Sequence, residues 1–300
     1  MARRILLPRS QEWKQELEDL IRGASGGFLF GIPLLYTMET WWIGSYIEPP
    51  LMLVTIVVTF LIVFFLNRTD GFRQLKPDRP IQAMMDSVEA VAIGVLCVTF
   101  VLVLLREITF STSLDESLGK IVLESFPFAI GVALARSIMQ GEKNNPEDDQ
   151  AEGSGSRPSN RNSSQNSRYN ATLADIGATL VGTVIIAFNI APTDEVPMLV
   201  SAVSPPWLVA IVLASLLISY CIVFVAGFTT QQKRRRTEGM FQHPMTETMF
   251  SYLISLIAAA TMLWFFHRLD PSVSWTLWLE NVIILGLPAT IGGAAGRLAV

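Results

Sequence analysis

The chain has 300 residues, 51% of them apolar and 16% charged, with a formal net charge of −4. Its mean hydropathy is +0.43. A soluble protein of about two domains, the default at this length, is excluded by that balance, and a chain that has lipid for a solvent is indicated.

In chain order, Met1-Ala2-Arg3-Arg4-Ile5-Leu6-Leu7-Pro8 carries basic residues but an apolar run too short for a secretory signal, so no cleavage is expected. Residues 1–18 form a cytoplasmic amphipathic segment, with a short helix predicted over 10–21 and Ser10 as its N-cap. A spanning helix needs roughly 20 mostly apolar residues. Eight such stretches follow, at about 22–40, 50–66, 83–105, 117–139, 172–191, 206–226, 246–266 and 276–298. Between the fourth and fifth, residues 140–170 are rich in Gly, Ser, Asn, Asp and Arg and poor in apolar side chains. Such a segment buries too little surface to fold and reads as a flexible tether. Cys97 and Cys221 fall inside different spans and read as buried thiols, not as a disulfide.

The four spans before the tether and the four after it are related copies. An offset of 156 pairs Asp19 with Asp175, Gly26 with Gly182, Thr37 with Thr193, Glu39 with Glu195, and Pro49-Pro50 with Pro205-Pro206. After five extra residues, an offset of 161 pairs Asp86 with Glu247, Pro127 with Pro288, Gly131 with Gly292 and Arg136 with Arg297. Self-similarity of this kind dictates architecture before any other signal does. The predicted fold is all-α and polytopic: eight transmembrane helices as two four-helix repeats, residues 19–139 and 171–300. An even number of spans per copy makes the repeats parallel, related by an axis along the membrane normal. Small residues at spacings of four (Gly23, Gly27 and Gly31; Ala174, Ala178 and Gly182; Gly131 and Ala135; Gly292 and Gly296) predict close packing of the first and fourth spans of each copy.

Of the 22 Lys and Arg residues, only Arg106, Lys120 and Arg268 fall on the side opposite the termini. The positive-inside rule then places both termini and the tether in the cytoplasm of a multi-pass protein of the inner membrane. The run Lys233-Arg234-Arg235-Arg236 stands at a helix end and reads as an anchor on anionic lipid, so no nucleic-acid partner is expected.

Chemistry is sought first where the bilayer makes it costly. A carboxylate at a helix centre costs a few kcal/mol on insertion scales and generally faces a cavity or a partner. Glu89 and Glu124 are the deepest acids, and the offsets give them no acidic counterpart, so the first copy is expected to carry the chemistry. Asp86, Glu247 and Glu280 stand nearer the span ends, where residues at the headgroup level are the commoner case. Glu39 and Glu195, on the outer face, would make an acidic vestibule that concentrates cations. Pro127 and Pro288 interrupt corresponding spans, and symmetric helix breaks at membrane depth are the best sequence pointer to a transport site, although a kink with packing value alone is equally compatible. Arg136 and Arg297 either pair with one of the acids or snorkel to lipid phosphate. Trp41 and Trp42 read as part of an interfacial belt.

His243 and His267 lie far apart, which leaves no histidine metal cluster, and no H-E-x-x-H, G-x-S-x-G, Walker or dinucleotide motif occurs. No enzyme activity, catalytic residue, metal or cofactor is therefore expected. The block Gly31-Ile32-Pro33-Leu34-Leu35-Tyr36-Thr37-Met38-Glu39-Thr40-Trp41-Trp42 resembles the start of a prokaryotic integral-membrane family known only as a domain of unknown function. The resemblance implies a polytopic bacterial inner-membrane protein and supplies no activity. The function expected is transport of a small cation or proton, by channel or secondary transporter, with the lipid bilayer and that ion as partners and homo-oligomerisation left open. The competing expectation is a non-transporting sensor or assembly protein that recruits partners through its cytoplasmic loops.

Overall fold

Prolines open four of the helices, as expected of a residue that lacks an N–H and has a preset φ. The structure, a computed structural model, describes residues 9–69, 73, 80–139, 161–225, 244–270, 272 and 274–298. Its helices are α1 (Arg9–Leu35), α2 (Met38–Tyr46), α3 (Pro49–Thr69), α4 (Pro80–Leu104), α5 (Leu114–Met139), α6 (Arg161–Ile190), α7 (Glu195–Ala202), α8 (Pro205–Tyr220, with a π-helical turn over Cys221–Val225), α9 (Pro244–Phe265) and α10 (Trp275–Leu298). No strand occurs among the described residues.

Among the described residues seven helices are long and apolar enough to cross a membrane, against the eight predicted. The stretch missing from that set is the first, expected at 22–40. Its helix stops at Leu35, two residues after Pro33, and restarts at Met38 after Thr37, which has extended backbone angles (φ −135°, ψ 103°). The break leaves the Leu35 carbonyl without an intrahelical donor, and the Trp41 indole N–H supplies one at 2.7 Å. Trp41 is accordingly buried, while Trp42 is exposed as a belt residue would be.

Two helices start earlier than predicted. The amphipathic segment expected over 10–21 is not a separate helix, because α1 runs unbroken from Arg9. Helix α6 begins at Arg161, inside the segment read as a tether; extending an established helix by about three turns costs far less than nucleating one. Residues 1–8 and 140–160, and the basic run at 233–236, lie outside the described residues.

The chain divides into two compact units, Met1–Ser137 with Asp194–Ile211, and Ile138–Thr193 with Val212–Val300. In the first, α4 packs on both α1 and α3. Helices α1 and α5 cross where a Cβ on Gly26 would strike the Gly131 carbonyl and one on Gly131 would strike the Gly26 carbonyl. Helices α4 and α5 meet where Gly94 faces Ala129. In the second, α6, α9 and α10 pack mutually, and the Gly182 and Gly292 carbonyls fill the space of each other's missing Cβ. Such backbone approach is what small residues permit where water supplies no drive for helix association. Helix α3 keeps one apolar face exposed, including Leu53, Val54 and Phe65, as lipid contact requires.

Helices α4 and α9 end alike. Arg106 and His267 have positive φ (65° and 58°), and the next N–H, of Glu107 or Arg268, returns to the Leu102 or Leu263 carbonyl at 2.9 and 2.8 Å. This is a left-handed helix cap in which the late carbonyls are satisfied by the turn itself. Pro127 and Pro288 lie inside α5 and α10, and both helices continue through them.

Candidate functional site

Polar side chains in the first unit gather in two places. One is the start of α4. Arg73 contacts three carboxylates: Glu16 at 3.0 Å, Asp86 at 3.2 Å and Glu89 at 2.8 Å. Half-buried Glu89, expected deep in the membrane, is thus joined to a loop arginine and to Asp86 one turn away. Asp19 and Arg22 pair on the neighbouring part of α1. Burial pushes the Asp19 carboxyl above the usual carboxylate range, against the opposing pull of Arg22.

The other place is the turn that opens α2. Glu124 stands midway along the α5 span and is only 2% exposed. Its Oε1 is in hydrogen-bond contact with the Thr40 hydroxyl, which also reaches the Thr37 carbonyl at 2.7 Å. Glu195, at the start of α7, comes to the same turn: its Oε1 accepts a long bond, 3.4 Å, from the Met38 N–H. Glu195 is 7% exposed, and its Oε2 has no hydrogen-bond partner among the described residues. An isolated buried carboxylate is among the costliest groups a fold can hold, so a cluster like this one marks function more often than packing. Glu39, its sequence counterpart, is exposed.

Lys120 is one turn before Glu124 on α5. It is buried, and its Nζ reaches Glu116 Oε1 at 2.9 Å, Glu107 Oε2 at 3.3 Å and the Glu107 carbonyl at 3.1 Å. Burial raises the Glu107 carboxyl above its ordinary range, and the neighbouring Lys120 ammonium opposes that rise. Because Gly94 faces Ala129 on antiparallel helices, Glu89 and Glu124 lie on opposite sides of that level, about 15 Å apart along the axis at ~1.5 Å per residue. The two deepest acids therefore belong to separate clusters.

In the second unit Arg297 is buried, pairs with Glu247, and lies over the Phe224 ring at 5.7 Å. Arg136 is half-buried in α5, and Glu280 half-buried near the start of α10. The hydroxyls of Thr183 and Ser255 bond across α6 and α9 at 3.0 Å, with Thr179 and Ser251 next to them at 3.5 Å. Among the described residues no three of His, Cys, Asp and Glu converge as metal ligands would.

The residues that sequence reading passed over are Thr40, Arg73, Glu107 and Lys120. One signal was available: Glu116, Lys120 and Glu124 recur every fourth residue and so share a face of α5. Nothing in the spacing marks Thr40 as the partner of Glu124, because that contact crosses between helices 84 residues apart.

No curated protein and no solved structure matches the chain. The family described as "Putative integral membrane protein (DUF2391)" matches residues 19–300, a span that covers both units from the last turns of amphipathic sequence onward. With seven helices able to cross a bilayer and broad apolar faces turned outward, the chain belongs to this family of integral membrane proteins, whose function is unknown.

Proposed function

We propose that the protein moves a proton or small cation across the inner membrane, through a pathway lined by buried carboxylates of the first unit. The observation that carries the proposal is Glu124, buried midway along a spanning helix with a threonine hydroxyl, and no cationic side chain among the described residues, as its hydrogen-bond partner. Within a spanning helix a carboxylate costs several kcal/mol unless it faces a partner or an aqueous route. Glu195, with one buried oxygen unpartnered among the described residues, sits at the same turn and supplies a second acceptor. The exposed Glu39 would form the outer approach, and Asp86 and Glu89 around Arg73 the inner one. Glu247, Glu280, Pro127, Pro288, Arg136 and Arg297 complete the residues assigned to the pathway and its framework.

In this reading the architecture is two parallel four-helix repeats, with α1 as the eighth crossing and both termini in the cytoplasm. The stretch from Leu20 to Leu35 rises only about 24 Å, short of the roughly 30 Å hydrocarbon core, and α2 completes the passage. The repeat is supported by Gly26 against Gly131 and Gly182 against Gly292, two contacts between residues that the offsets 156 and 161 pair. The left-handed caps at Arg106 and His267 are paired by the second offset as well.

The test is flux in proteoliposomes loaded with a pH-sensitive dye and challenged in turn with proton, alkali-cation and divalent-cation gradients. Purified protein is expected to dissipate at least one gradient, and Glu124→Gln to slow it at least tenfold. Empty-liposome rates under every gradient overturn the proposal.

A further inference from the structure

The hydrogen count at the α2 turn identifies the ion. A threonine hydroxyl has one hydrogen to donate and can accept through its lone pairs. Thr40 Oγ1 lies in hydrogen-bond contact with two oxygens at once, the Thr37 carbonyl at 2.7 Å and Glu124 Oε1. Neither a carbonyl nor an ionised carboxylate donates. With Glu124 ionised, the single Thr40 hydrogen is either shared between both acceptors or withheld from one of them. A buried carboxylate would then be solvated by at most one neutral hydrogen bond, a poor return for its loss of water. With Glu124 neutral, each contact acquires its own hydrogen: the carboxyl O–H donates to Thr40 Oγ1, and the Thr40 O–H donates to the Thr37 carbonyl. Protonation states are assigned by satisfying such networks.

We infer that Glu124 is a proton-binding site, held as a neutral acid whose hydrogen is received by Thr40. This rests on the transport reading only for its role in flux; the bound proton follows from the contacts alone. The charged and titratable groups that approach this turn are Glu195 from α7 and, outward along α5, Lys120 with Glu116 and Glu107. Lys120 is engaged by both of its acids, which leaves Glu124 with a hydroxyl for its hydrogen-bond partner.

Release of the proton is simple in structural terms. Glu124 loses H⁺ to water or to the next acceptor in the pathway, and the Thr40 hydroxyl turns from the Thr37 carbonyl to the new carboxylate. Thr37 O is not abandoned, because the Thr40 backbone N–H also donates to it, at 3.1 Å. One side-chain rotation therefore accommodates both states of the acid without unwinding the α2 turn.

Infrared spectra of the protein in lipid nanodiscs at neutral pH, taken with proton flux on the same preparation, decide the matter. The wild type is expected to show the C=O stretch of a protonated carboxylic acid, lost in Glu124→Gln, shifted to higher frequency in Thr40→Val, and returned to its place in Thr40→Ser. Identical wild-type and Glu124→Gln spectra in this region overturn the inference, as does a band unmoved by Thr40→Val. If Glu124→Gln does not fold, the Thr40 pair decides, because it leaves the native carboxyl present. A band that behaves as expected without flux defeats the transport reading alone. Flux without the band defeats the bound proton alone.

Discussion

The two units solve the same packing problem with different chemistry. Where α1 and α4 lie against α5 in the first unit, the side chains are Gly27, Gly94 and Val132, and the approach is dry. The positions that the offsets pair with these in the second unit are Thr183, Ser255 and Gly293, and there two hydroxyls bond at 3.0 Å over the glycine. At the opposite ends the contrast reverses. The first copy has Glu107, Lys120, Glu124 and Thr40; the residues that the offsets pair with these are Arg268, Asn281, Leu285 and Val196. Arg268 donates to the Pro192 carbonyl, and Asn281 to the Leu277 carbonyl of its own helix. At this end the second copy thus uses backbone carbonyls as acceptors where the first gathers interacting charges, and the buried Arg297–Glu247 pair of the second unit stands at the other end of its helix.

The sharpest way to break this comparison is Lys120→Met. Removing one partner of a buried ion pair leaves the other charge uncompensated, at a cost of about 3–5 kcal/mol. Asn281→Leu, its counterpart, removes one neutral bond within a helix and should cost about 1 kcal/mol or less. Thermal and denaturant unfolding in mild detergent measure both. Adding Glu107→Gln to Lys120→Met should recover a large part of the loss. Equal costs for the two single variants would mean that the charged cluster is no more buried in practice than the amide.

Gly26→Val and Gly182→Val come next, because each puts side-chain atoms into a facing carbonyl. Overpacking of this kind costs about 1–3 kcal/mol, and similar losses in both units are expected if the crossings are equivalent. Gly177→Ala is the control: nothing lies within 4 Å of a Cβ there, and alanine in place of a helical glycine should add about 0.5–1 kcal/mol. A smaller effect is expected from Thr183→Val or Ser255→Ala, about 0.6 kcal/mol, the average for interhelical hydrogen bonds in membranes. A loss several times larger would make the hydroxyl row more than cohesive.

Much of this framework was legible in the sequence, because bilayer length and backbone proximity write themselves into short-range patterns. The small-residue rows named Gly131, Gly182 and Gly292 at the crossings but ran through Gly27, the neighbour of Gly26, in the first stretch, and seven of the eight apolar stretches are described helices able to span. The eighth differs because hydropathy continues smoothly through Leu35, Tyr36 and Thr37 while the helix breaks there. Depth marked Glu124 as unusual, and spacing could have added Lys120. What no pattern held was the identity of partners: Glu89 is met by Arg73 from a loop, Glu124 by Thr40 from another helix, and the matched acids Glu39 and Glu195 part ways into exposed and buried surroundings. Those outcomes depend on how helices rotate against one another, which residue periodicity along a single helix does not encode.

The smallest expected effect is a slope. Burial, opposed by Lys120, holds the Glu107 carboxyl above the ordinary value for a glutamate. Between the unfolded and folded pKa values the native state binds more proton at this site, so stability is highest below the unfolded value and falls as pH rises through the folded one. The stability of wild type minus that of Glu107→Gln should therefore decline as pH is raised from about 4, and a flat or rising difference would show that Lys120 outweighs burial at this position.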